Sequence, residues 1–131
     1  LWYAAASRGP TSYTSLNTTR AFLERSPETA LRMTRAMHRT LRWIAEHDGT
    51  ALAEAVGRYF EAIPKAHLAA CFDRYRALGL WNRDPRFSRE GVEWLRDAML
   101  GSGYIRNRIG FEECVDTRFA ERSVAENPPA L

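Results

Sequence analysis

Lysine is almost missing from this chain: of 19 basic residues, only Lys65 is not an arginine. Cysteine is nearly as scarce. Cys71 and Cys114 are too few and too far apart for a disulfide framework or a structural zinc site. The three histidines, His38, His47 and His67, show no HExxH or carboxylate spacing that would build a metal centre. No apolar run approaches the roughly 20 residues that span a bilayer. The opening LWYAAAS has no basic n-region, so no signal peptide is expected there, and the chain begins without a methionine. Nucleophile elbows, phosphate-cradling glycine loops and paired catalytic carboxylates are also missing. No cofactor is implied by any of this, and no metal.

What is present reads as one mostly helical unit over residues 1–131. The 45% hydrophobic and 27% charged composition suits a globular protein, and the formal net charge is only +3. Residues 1–17 have strand-favouring Trp2, Tyr3, Thr11, Tyr13 and Thr14, broken at Arg8-Gly9-Pro10. Thr18 or Thr19 can cap a short helix, TRAFLER. Ser26, Pro27 and Glu28 then form a strong start signal for a long helix running to about His47 and stopping at Asp48-Gly49. On that helix Ala30, Met33, Thr34, Met37, Leu41 and Ile44 make an apolar stripe expected to face inward.

Leu52, Val56 and Tyr59 mark the next helix, which ends before Pro64. Leu68, Cys71, Phe72, Tyr75 and Leu78 mark a third, closed by Gly79, with Cys71 expected as a buried, inert thiol. Ser88 caps a fourth, with Val92, Leu95 and Met99 inward and Gly101 and Gly103 as stops. A last helix is predicted from Glu112 to about Arg122, followed by a frayed NPPAL. One or two strands cannot form a stable sheet alone. The expectation is therefore a mainly α chain with one or two N-terminal strands, cut from a larger α/β protein.

Several residue groups could carry function. Arg32, Arg35, Arg39 and Arg42 share one face of the long helix, and four guanidinium groups could neutralise phosphates. Equally, with Glu28 and Glu46 beside them, they could be a solvated face. Trp43, Trp81 and Trp94 could line a ligand pocket or pack at the edge of the core. His38 borders the apolar stripe, and His47 sits where a cation complements the helix dipole. Ser12, Thr14, Ser15 and Asn17 give the extended segment hydroxyl and amide donors suited to a small anion.

From about Tyr13 to Glu121 the chain resembles the C-terminal part of ABC-importer solute-binding proteins of the nitrate/sulfonate/taurine type, which are related to thiamine-pyrimidine-precursor binders. The resemblance is carried by the order of YTSLNTTRAFLERSPETALRMTRAMHRTLRWIAEHD, GRYFEAIPKAHLAACFDRYRALGLWNRDPRFSREGVEWLRDAMLGSGYI and FEECVDTRFAE. It includes the helix opening at Ser26-Pro27, the Trp81-to-Pro85 turn and the Val115-Asp116 pair. It implies a class II periplasmic-binding-protein fold and a non-catalytic clamp around a small anionic or heteroaromatic solute. It also implies a membrane permease as partner, a periplasmic or extracellular location, and the first part of the same protein upstream. A related branch makes the thiamine pyrimidine enzymatically through a cysteine-rich motif; nothing near Cys71 or Cys114 matches it, and Lys65 alone could form an aldimine. The competing reading is a self-contained helical module that binds nucleic acid or a protein through the arginine face. The solute-binding reading expects no nucleic acid, and either reading leaves room for self-association of a sheet-less fragment.

Overall fold

The computed structural model describes residue 12 and residues 14–131. Those residues form seven α-helices and no strand: α1 (Arg20–Arg25), α2 (Pro27–Glu46), α3 (Gly49–Val56), α4 (Lys65–Ala77), α5 (Arg89–Gly101), α6 (Phe111–Cys114) and α7 (Arg118–Glu126). A 3₁₀ turn, Gly57–Tyr59, follows α3. Most of the predicted N-terminal strand lies outside the described residues; within them, residues 14–19 have no regular structure.

The helix boundaries follow local chemistry. Thr19 caps α1 by accepting from the Phe22 amide, and Ser88 caps α5 by accepting from the Gly91 amide. α4 and α5 end in matching glycine turns. Gly79 (φ 64°) donates to Arg76 O and Leu80 to Tyr75 O; Gly103 (φ 73°) donates to Leu100 O and Tyr104 to Met99 O. Only a left-handed residue closes such a turn without strain, which is why glycine stands at both.

Two boundaries differ from expectation. Asp48-Gly49 does not merely stop α2. Asp48 accepts from the Ala51 amide and so starts α3 at Gly49. The predicted last helix is two, broken at Val115–Thr117, where Asp116 turns back to accept from the Arg118 amide.

Packing is pairwise: α3 lies on α4, and α2 on α7. The α3–α4 contact is very close. Gly49 donates its amide to Asp73 Oδ1 at 2.7 Å, and Arg76 of α4 reaches the Ala45 carbonyl at the end of α2. Among the described residues, only Leu31, Leu52, Ala53, Leu68 and Phe111 are buried apolar side chains.

Two expected inward stripes are only partly covered: on α2, Ala30, Thr34, Leu41 and Ile44 are half-buried, but the two methionines face out. Met33 is 51% exposed and Met37 39%, whereas Leu31 and His38 are the buried residues of α2. On α4, Leu68 alone of the predicted stripe is buried; Tyr75 and Leu78 are exposed, and Cys71 is exposed rather than buried. The reason is the same in both helices. The neighbouring helix makes polar contacts, α3 through Asp73 on α4 and α7 through Arg35 and His38 on α2.

The accessible surface is 9966 Å² for 15.0 kDa, where a compact monomer of that mass exposes about 7,000 Å². The helical layer is therefore under-covered, with Leu78, Leu80, Tyr104, Tyr59 and Leu16 all more than half exposed.

Candidate functional site

Among the described residues of the hydroxyl-rich segment, Ser12 makes the one hydrogen bond to the helical body. Ser12 Oγ donates to the Ser88 carbonyl at 3.4 Å, at the start of α5. Beside it lies an open hollow of about 270 Å³ lined by Asn82, Arg83, Asp84, Arg86, Phe87 and Ser88. Arg86 grips Asp84 through both its amide and its guanidinium group. That hydrogen bonding holds the Asp84 carboxyl below the usual range against partial burial, with the Arg86 charge adding to it. Ser15 and Asn17 bond to each other and, like Thr14, are exposed. Of the four candidate ligand residues, Ser12 alone touches the body of the protein.

A second hollow, about 340 Å³, opens between the end of α3 and the start of α4. Ala53, Phe60, Ile63 and Leu68 form its floor. Glu54 and Lys65 bridge across it at 3.0 Å. One of its acid–base pairs is thus already matched, and nothing in the sequence signalled this hollow.

Three of the four arginines on the α2 face, Arg35, Arg39 and Arg42, are engaged by the C-terminal segment, and Arg32 is exposed. Arg35 makes a bidentate pair with Glu126 of α7, and Arg122 joins the same carboxylate at 3.1 Å. Hydrogen bonding from Arg35, with a smaller contribution from Arg122, holds Glu126 below the ordinary carboxylate range despite its opposing desolvation. A carboxyl depressed in this way stabilises the fold above its unfolded-state pKa. That contribution is lost as pH falls through the folded value. Arg42 donates to Asn127 Oδ1 and to the Pro128 carbonyl at 2.6 and 2.8 Å; Arg39 donates to the Pro129 carbonyl at 3.1 Å. The NPPAL segment is therefore docked rather than frayed. The expected Glu28–Arg32 pair is replaced by a contact of Glu28 with Arg122 at 3.8 Å.

Under this seam His38 Nδ1 sits 3.1 Å from Ser123 Oγ, with both residues buried. The pair has the composition of a nucleophile and its base, but Ser123 is 0% exposed, so no substrate reaches it. It is a structural link between α2 and α7. Removing either partner strands the other, so His38→Leu and Ser123→Ala should each cost about 1–3 kcal/mol. The double variant should cost clearly less than the sum, by about 1 kcal/mol. Urea denaturation of the three variants checks this; strict additivity would show that the two side chains do not interact.

His47 is tied to its own helix. Its Nδ1–H donates to the Trp43 carbonyl at 2.8 Å, and its ring stacks on Trp43 at 4.3 Å. Trp81 is taken up by Phe72 and Tyr75, while Trp94 is 38% exposed. Among the described residues no cluster of histidine, cysteine and carboxylate could hold a metal, and no helix is long and apolar enough to cross a membrane.

With this geometry in hand, comparison with known proteins adds one finding. The chain is 22% identical over 118 residues to a Bacillus subtilis (strain 168) protein named "Putative binding protein YtlA". That is a likeness to a binding protein. It covers 90% of this chain and 35% of YtlA, so the chain spans about a third of the length of the relative it matches. No family model matches the chain, and no solved structure does. A binding role is supported at that coarse level.

Proposed function

We propose that this chain is part of an extracytoplasmic solute-binding protein that captures a small anionic or heteroaromatic solute and delivers it to an ABC permease in the membrane. The observation that carries the reading is the match to a binding protein along nearly the whole chain. The under-covered helical layer is in keeping with it. Exposed Met33 and Met37 on α2, and Tyr75, Leu78 and Leu80 at the end of α4, suit helices laid against a sheet supplied by the remainder of an α/β class II lobe. In this reading the Ser12 contact at the 82–88 hollow marks where the hydroxyl-rich segment approaches the solute. Thr14, Ser15 and Asn17 remain the adjoining candidates.

The test is a thermal-shift series on the whole gene product that contains this chain, with nitrate, taurine, other sulfonates and pyrimidines. A ligand present at about 100 times its Kd stabilises by about 2.7 kcal/mol, expected as a melting temperature rise of roughly 5–10 °C for a protein of a few hundred residues. A protein unmoved by every solute, with no permease encoded beside it, would overturn the proposal. The nucleic-acid reading of the arginine face finds less support, because residues 126–130 cover that face.

A further inference from the structure

The seam between α2 and residues 126–130 pairs its charges unevenly. A guanidinium group makes its strongest hydrogen bonds to a carboxylate, roughly twice as strong as to a neutral oxygen. Among the described residues, Arg35 is the one α2 arginine paired with a carboxylate, Glu126, which it shares with Arg122. Arg42 is spent on the Asn127 side-chain amide oxygen and the Pro128 carbonyl, and Arg39 on the carbonyls of Pro129 and Ala130. Arg32, one turn earlier on the same face, is exposed. The carboxylates of this region, Glu28, Glu46 and Glu126, are fewer than its five arginines.

The segment on this face is well matched in form if not in charge. Asn127 ends α7 in the left-handed conformation, φ 47°. The chain then runs back along α2, from Arg42 toward Arg39. Pro128 and Pro129 present carbonyls without an N–H, against groups that can only donate. The groove thus accepts an extended peptide backbone while leaving two full positive charges on neutral acceptors.

We propose that residues 127–130 are a displaceable strap, and that the face beneath them is a docking groove for an extended acidic peptide segment of a partner protein. Carboxylates at the positions now held by the strap's carbonyls would turn neutral hydrogen bonds into charge-assisted ones, and Arg32 would extend the groove by one turn. A single-stranded nucleic acid fits less well, because it needs aromatic rings to stack its bases. The ring beside Arg42, Trp43, is already stacked on His47. This inference does not depend on the solute-binding reading.

The test compares the intact chain with one ended at Glu126, using a labelled eight-residue peptide of alternating proline and glutamate and reading fluorescence anisotropy. The shortened chain should bind at least about tenfold more tightly than the intact one, since the strap no longer competes. Replacing Arg39 and Arg42 by glutamine in the shortened chain should remove that gain, and a proline–glutamine peptide should bind neither form. In the intact chain, excess acidic peptide should sharpen the NMR signals of Ala130 and Leu131 as the strap leaves. If the shortened chain fails to fold by circular dichroism, this intact-chain measurement decides alone. Unchanged Ala130 and Leu131 signals, or equal affinity for the acidic and neutral peptides, would overturn the proposal. So would tighter binding of a thymidine oligonucleotide, which would assign the groove to nucleic acid.

Discussion

Replacing Gly49 with alanine is expected to lower the melting temperature by roughly 10 °C, corresponding to about 3 kcal/mol. A methyl group there would sit 2.1 Å from the Ala69 carbonyl oxygen and 2.7 Å from Asp73 Cγ. The first obstacle is helix backbone, which cannot rotate aside, so α4 as a whole must move. That movement also stretches the 2.7 Å bond from the Gly49 amide to Asp73. The intrinsic preference of alanine for a helix returns only about 1 kcal/mol. Glycine is needed at this point for space, since its φ is not in the left-handed region. Thermal unfolding followed by circular dichroism measures the effect. A shift under 2 °C would mean that α3 and α4 do not approach this closely.

Leu31→Ala should be the costliest truncation in α2, at about 3 kcal/mol. Leu31 is 1% exposed and is the largest fully buried apolar side chain. So few apolar side chains are buried that the cavity has little around it to collapse inward. Met33→Ala, two residues along and 51% exposed, is the control and should stay within about 0.5 kcal/mol. Urea denaturation of the pair distinguishes the two faces. Equal losses would restore the methionine side as the inward one.

That contrast shows what was legible in the sequence. Capping residues act through their own nearest amides, so Thr19, Ser88, Gly79 and Gly103 could be read directly, and the structure uses all four. The existence and order of the helices followed from the same local rules. Which side of a helix is buried depends instead on the neighbour, and periodicity pointed to Met33 and Met37. The neighbour on α2 is α7 with its strap, whose acceptors are Glu126, Ser123 and backbone carbonyls. Carbonyl oxygens leave no trace in the amino-acid sequence, so the arginine row looked either solvated or suited to phosphates. Cys71 differs from expectation for the same reason: α3 covers the stripe at Leu68 but leaves the Cys71 thiol exposed. Of the candidate ligand residues, only the Ser12 contact with Ser88 has a structural counterpart, across 76 residues that no local pattern spans.

The two helical pairs close loops of very different size. Gly49 and Asp73 are 24 residues apart, whereas His38 and Ser123 are separated by 85 and Arg39 and Pro129 by 90. Ordering the longer segment costs about 1 kcal/mol more in chain entropy, and it is repaid largely by polar contacts near water. The α3–α4 hairpin can therefore assemble early and hold on its own, while α7 arrives late and departs first. Amide hydrogen exchange would then be fastest, among the helices of these two pairs, in Arg118–Glu126. The protein would carry its most reversible joint where its arginines are gathered.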